Sequence, residues 1–271
     1  GYSPTHGGKD SEQILNTEEH TGVNEVHRDP RNTTTIYATT HQIRRHVYTY
    51  VGGGLGSKIY KSTDSGKSWK ELKSGLPNSI KGRIGMDISP ANPDYLYALV
   101  EAENNKQGLY VSKDRGESWD KKNKYVTSGN YYQEVFCDPI NCDKVFFMDT
   151  WLHHTSDGGK TVIKTGEKSK HGDTHCIWIN PKDTDHWIVG CDGGIYETWD
   201  HASNWHFKPN LPITQFYKVA VDNDWPFYNI YGGTQDNNSL GGPSRTISNH
   251  GIMNSDWYIT CLLYTSDAAD E

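Results

Sequence analysis

No apolar run in this 271-residue chain is long enough to cross a bilayer; stretches such as YLYALV, Tyr95–Val100, fall far short of the roughly 20 residues a spanning helix needs. No basic stripe is present either. Asp and Glu number 34 against 27 Lys and Arg, a net charge of −7, which speaks against nucleic acid as a partner. There is no initiator Met and no signal peptide, so residue 1 is expected to lie inside a longer protein. Cysteine is scarce, with five in all. Cys176 and Cys191 flank the turn NPKDTD, and Cys137 and Cys142 flank another. Two disulfides or four free thiols are both compatible with that spacing. Hydrophobic residues make up only 34%, but 17 Tyr and 9 Trp compensate, and aromatics favour strands. The length suits one large all-β domain or two ordinary ones.

What the chain does contain is a repeated octapeptide. STDSGKSW begins at Ser62 and SKDRGESW at Ser112. TSDGGKTV begins at Thr155 and TWDHASNW at Thr198, so the spacings are 50, 43 and 43. Such periods signal a repeat architecture. The box has a physical reading. Ser62, Ser112, Thr155 or Thr198, with Asp64, Asp114, Asp157 or Asp200 two positions on, can hydrogen-bond the backbone of a tight turn. Gly66, Gly116 and Gly159 tolerate positive φ, and Trp69, Trp119 and Trp205 bury a ring between strands. The box is therefore expected to staple the fold and not to catalyse.

Segments beginning at Val23, Arg83, Tyr132, Thr174 and Phe216 each read as an apolar alternating run, an Asp/Asn/Pro turn and a second apolar run. That is a hairpin signature. A third run (KIYKS, GLYVS, GIYET) leads into each box and a fourth follows. Four strands per 40–50 residues is the arithmetic of a β-propeller blade, so the expected fold is an all-β propeller of about five four-stranded antiparallel blades. The expected division is residues 1–20 as the end of a preceding blade or linker, 21–260 as a partial propeller, and 261–271 as a non-native tail. The final CLLYTSDAADE abandons the repeat and resembles translated sequencing adapter. Blades are expected beyond both ends.

The S-x-D-x-G-x-x-W boxes resemble the Asp-box, or bacterial neuraminidase, repeat. The segments HQIRRHVYTYVGGG, YYQEVFCDP, HGDTHCIWINP, CDGGIYETWD, NLPITQFYKVAVD and YGGTQDNNSLGGPSRT resemble secreted bacterial proteins labelled glycosyl hydrolases. Those proteins are related to xyloglucanases and to the sortilin (vacuolar sorting receptor) ectodomain. The resemblance covers Thr21–Thr260 and implies a β-propeller located outside the cytoplasm, extracellular or periplasmic. It implies function only weakly, because it spans enzymes and receptors. Sialidase activity is not expected: only Arg83 among the seven arginines opens a first strand, and the Phe/Tyr-Arg-Ile-Pro motif is missing.

In a blade, the start of the first strand and the end of the second lie on one face. Glu101, Asp149, Asp192 and Asp236 end second strands. Arg83, Tyr132, Gln133, His175, Gln215 and Tyr217 start first strands, Gln235 neighbours Asp236, and Arg44 and Arg45 lie in the loop after one second strand. Three readings compete for this rim; the expected function is a secreted, carbohydrate-active, glycosyl-hydrolase-like propeller, with a non-catalytic sortilin-like binding propeller as the alternative. Asp149, Asp192 and Asp236 are candidates for the paired carboxylates of a glycoside hydrolase, which lie about 5–9 Å apart. His171, Asp173 and His175 alternate, so in an extended strand they would share one side and suit a divalent metal; otherwise no cofactor is implied. The third reading is a rim that grips a polysaccharide or glycan, or alternatively a peptide, without chemistry. Gly52, Gly53, Gly54 and Gly56 read as a flexible hairpin tip, since no helix start follows them. Asn32-Thr33-Thr34 and Asn237-Asn238-Ser239 match the glycosylation sequon, and Trp151 and Trp199 read as core more readily than as platforms.

Overall fold

Each box closes its own hydrogen bonds, so it folds locally and ends a sheet with a fixed hairpin. The computed structural model describes residues 2–5, 10–209, 214–236 and 238–261. In it, Ser62 Oγ donates to Asp64 Oδ1 (2.8 Å) and accepts from the Gly66 N–H (2.8 Å). The Asp64 carboxylate then takes the Ser68 N–H (2.9 Å) and hydroxyl (2.6 Å), and this donor set holds its pKa down at about 2. Ser112–Asp114, Thr155–Asp157 and Thr198–Asp200 repeat the arrangement. Gly66, Gly116 and Gly159 take φ near +90°, and in the fourth box Ala202 takes +65° without glycine's freedom.

Two compact units result, Gly1–Cys191 with Ile195–Phe207, and Asp192–Gly194 with Lys208–Glu271. In chain order, β1 (Tyr2–Thr5) pairs with β2 (Asp10–Gln13). β3 (Thr21–Arg28) and β4 (Ile36–Gln42) are followed by a separate hairpin, β5 (Arg44–His46) and β6 (Thr49–Val51); β7 (Ile59–Ser62) and β8 (Lys70–Leu72) then complete a sheet ordered β3-β4-β7-β8. The second sheet is β9 (Lys81–Ile88), β10 (Leu96–Ala102), β11 (Gly108–Ser112) and β12 (Asp120–Asn123). The third is β13 (Val135–Cys137), β14 (Val145–Phe147), β15 (His153–Thr155) and β16 (Ile163–Lys164). The fourth is β17 (Thr174–Ile179), β18 (Trp187–Cys191), β19 (Gly194–Thr198) and β20 (His206–Phe207). The second unit holds a fifth meander, β21 (Lys218–Val221), β22 (Asn229–Gly233), β23 (Ser239–Pro243) and β24 (Tyr258–Cys261). The fold is an all-β propeller built from antiparallel four-stranded blades. Residues 262–271 and Asn237 of the second sequon lie outside the described residues.

Strand alternation sends each middle strand's side chains to two neighbours. In β10, Leu96, Ala98 and Val100 join Tyr37, Ile59 and Leu72 of the first sheet, while Tyr97 and Leu99 join Val135, Val145 and Phe147 of the third. Phe146 and Met148 then meet Ile177, Trp187 and Val189 of the fourth. The core of the first unit is thus three apolar layers, one between each successive pair of sheets. The glycines after β6 serve this stacking and are not a loose tip: the Gly54 N–H donates to Lys81 O (2.9 Å), and a Cβ on Gly53 would meet the same oxygen at 2.8 Å.

Polar groups also cross between sheets. Glu25 accepts the Met86 N–H (2.7 Å) and Asp87 accepts the Cys137 N–H (2.7 Å). His27 sits 3.4 Å from Glu25 and 3.5 Å from Asp87. Burial disfavours its charged form, but hydrogen bonds to Asp87 and Glu25, reinforced by their charges, outweigh this and raise its pKa to about 9. Between the third and fourth sheets, burial and the nearby His201 and Lys144 hold His154 at about 4. The two histidines oppose each other in pH. Stability from His27 is complete below pH 6.5 and lost as pH rises through 9, about 3 kcal/mol. Stability from neutral His154 is complete above pH 6.5 and lost as pH falls through 4. Thermal melts across pH should fall at both ends, with His27→Gln flattening the alkaline arm and His154→Gln the acid arm. Unchanged arms in these variants would refute the assignment.

Cys137, Cys142, Cys176 and Cys191 make no disulfide with one another. A bulge at His175 sets Cys176 opposite Gly190 and Cys191 opposite Thr174, so the two cysteines do not face each other.

Candidate functional site

Antiparallel pairing sets Lys81 beside Ala102, Val135 beside Phe147 and Thr174 beside Cys191, so first-strand starts and second-strand ends share one edge. On β9 the Arg83 side chain reaches Glu134, just before β13, at 2.5 Å. The Arg83 backbone N–H donates to Glu101 at 3.2 Å, and Glu101 packs against Gly82 and Gly129. Gln133, at φ +117°, is fully buried, not part of an open rim: it donates to Arg83 O (3.3 Å) and Leu99 O (3.2 Å) and accepts from Thr127 Oγ1 (2.6 Å). It braces the second sheet to the third, because its backbone sits where an inward side chain has no exit to solvent.

At the junction of the third and fourth sheets the candidates converge. Tyr132 is buried, donates its hydroxyl to Asp173 and stacks on His175 with ring centroids 5.2 Å apart. The Asp173 N–H donates to Thr150 O (2.9 Å) and the Thr174 N–H to Asp149 O (3.1 Å), which brings Asp149 alongside. Asp149 accepts from Tyr125 (3.2 Å) and from the Thr150 N–H (2.8 Å), with His153 at 4.0 Å. Tyr131, next to Tyr132, and Trp151, two residues after Asp149, are exposed, and Lys164 lies over the Trp151 ring. Trp199 is likewise exposed and not in the core.

Asp173 has φ +51° and precedes β17, so His171, Asp173 and His175 do not alternate along one strand. His171 turns its Nδ1 to its neighbour's carbonyl, Gly172 O, at 3.1 Å. Among the described residues no group of three His, Cys, Asp or Glu is placed to hold a metal ion.

Arg44 and Arg45 lie on the exposed β5–β6 hairpin, where Arg44 Nε donates to His46 Nε2 (2.8 Å). In the second unit, Gln215 and Tyr217 precede β21, and Gln235 and Asp236 follow β22; the Tyr217 hydroxyl donates to Gln235. Asp192 groups with that unit. Tyr125, Glu134 and His153 are members that the motif reading missed. Glu134 was within reach of it: aligning the first strands on Asp29 and Asp138 puts Glu25 and Glu134 at one position, and both bond the adjoining sheet.

The sequence profile of Sortilin-Vps10, described as sortilin, neurotensin receptor 3, matches residues 2–148. The chain belongs to the Sortilin-Vps10 family. Rattus norvegicus sortilin is 30% identical over 183 residues, covering 64% of this chain and 20% of that protein. A Hypocrea jecorina xyloglucanase is 24% identical over 203 residues, 72% of this chain and 21% of that one. This Sortilin-Vps10 chain thus spans about a fifth of the length of these curated relatives. Among solved structures, the Niastella koreensis GH74 enzyme aligns with a TM-score of 0.50 at 18% identity, covering 82% of this chain and 36% of that one. An ancestral GH74 enzyme aligns at 0.51 and 14%, covering 85% and 30%. At these identities the likeness establishes the propeller fold alone.

Proposed function

We propose that this chain is part of a non-catalytic binding propeller whose rim, at the junction of the third and fourth sheets, grips a short extended peptide carrying aromatic and basic side chains. The observation that carries this reading is the state of the carboxylates in the first unit. Glu101, Glu134, Asp149 and Asp173 each accept a hydrogen bond from a donor of the fold itself, which supports a scaffold for recognition over an acid–base pair. Exposed Tyr131 and Trp151 supply rigid contact area, and Asp149 supplies negative charge. The matched family's description, which names a receptor, supports the same reading. The proposed location is extracellular or periplasmic.

A random-peptide pool panned against the protein should enrich basic, aromatic sequences. Trp151→Ala and Tyr131→Ala should each weaken a selected peptide about tenfold, with no change in melting temperature. Selected peptides that bind both variants as well as the parent would refute the site. Glycoside hydrolysis at Asp149 is the second reading, favoured by the company of Tyr125, His153 and Trp151, and it requires turnover that Asp149→Asn abolishes.

A further inference from the structure

The turn between first and second strands is built alike in the first four sheets. Asp29, Ser89, Asp138 and Asn180 each donate a backbone N–H to the carbonyl six residues on, at Thr35, Tyr95, Lys144 and His186. The enclosed residues are PRNTT, PANPD, PINCD and PKDTD, none of them aromatic. The fifth turn departs from this. Its closing bond runs from the Asp222 N–H to Asn229 O, one residue longer, and it encloses NDWPFY.

The enlarged turn is held firmly. The Asp222 carboxylate accepts from the Asp224 N–H (3.1 Å), the Asn229 N–H (2.8 Å), the Asn229 side chain (2.9 Å) and the Tyr231 hydroxyl (2.8 Å). The Ser244 N–H, just after β23, donates to Tyr228 O (3.0 Å), and Arg245 lies 5.0 Å over the Phe227 ring. On this rigid frame Trp225 is 87% exposed, and Phe227 and Tyr228 are about half exposed. Exposed aromatics on an ordered turn cost solvation and packing, and mark contact surfaces.

We infer that the Asp222–Asn229 turn is a second binding site, for a neutral glycan. Trp225 offers a flat face for the C–H side of a sugar ring, and Tyr228 and Arg245 offer donors for its hydroxyls. Charge selects this partner over others. The four donors to Asp222 are neutral and leave its carboxylate charged, so Asp222 and Asp224 against Arg245 give the patch a small negative excess, which repels a polyanion and is too slight to select a polycation. Within the second unit, the turn lies at the other end of the β21–β22 hairpin from Tyr217 and Gln235.

Affinity electrophoresis of the protein in native gels containing xyloglucan, galactomannan or soluble starch, with polygalacturonate as the charged comparison, tests the inference. At least one neutral polymer should retard the protein. Trp225→Ala should weaken that retardation about tenfold or more, while Trp199→Ala, at another exposed Trp, leaves it unchanged. Thermal melts of the variants should overlay the parent's, because the ring is solvent-facing. Lack of retardation by every neutral polymer, equal retardation of Trp225→Ala, or retardation by polygalacturonate alone would overturn it.

Discussion

Gly85→Ala is expected to disrupt the first unit. Gly85 lies in β9 on the face opposed to the third sheet, and a Cβ there would fall on the Gln133 carbonyl oxygen, far inside van der Waals contact. That atom belongs to backbone that cannot swing aside, since the Gln133 side chain is tied to Arg83 O, Leu99 O and Thr127. The second and third sheets must therefore separate, which opens the Tyr97–Leu99–Phe147 layer. The cost is about 3 kcal/mol or more, a large share of a domain's marginal stability. Gly22→Ala serves as the control, because nothing lies within 4 Å of its Cβ position, and its effect should stay near 0.5 kcal/mol. Urea melts of the two variants decide it; equal midpoints would refute the close-approach argument.

The second large effect is expected at Lys170. Its side chain is fully buried, as is that of Glu167, and the two lie 2.7 Å apart. Lys170 Nζ also donates to His171 O (2.6 Å) and Thr174 Oγ1 (2.8 Å), so one ammonium holds together the segment that carries Asp173 and leads into His175. Lys170→Met removes the cation and strands the Glu167 carboxylate away from water, at a cost of about 3–5 kcal/mol. Adding Glu167→Met should restore much of that loss, since an apolar pair of similar volume leaves no uncompensated charge. A double variant no more stable than Lys170→Met would show that the hydrogen bonds to His171 and Thr174, not the ion pair, carry the effect. Either single variant should also loosen the contact between Tyr132 and Asp173, read as a change in Tyr132 burial by hydrogen exchange or near-ultraviolet circular dichroism.

How much of this was legible in the sequence differs by scale. The propeller was, because an Asp-box is satisfied within eight residues and its spacing states the repeat. Even the fourth box, where Ala202 replaces glycine, keeps its hydrogen bonds. The rim was legible only in part. Tyr132 and Gln133 look like rim residues by position along the strand, yet both are buried, because the adjoining sheet decides which side chains see solvent. His171, Asp173 and His175 alternate in the text but not in space, since one positive φ at Asp173 breaks the strand before it starts. Trp151 and Trp199 were expected in the core and are exposed; aromatic residues look alike in a string whether they fill a layer or face a partner. Interactions closed within a turn can be read locally, whereas those closed between blades cannot.

A rim that binds without chemistry, as proposed, leaves a bound polysaccharide intact. The most direct test is the size distribution of xyloglucan after prolonged incubation with the protein, measured beside Asp149→Asn and a protein-free control. The expected result is a polymer of unchanged size in all three. Release of oligosaccharides by the parent protein, stopped by Asp149→Asn, would contradict the account and make the rim a hydrolase active site.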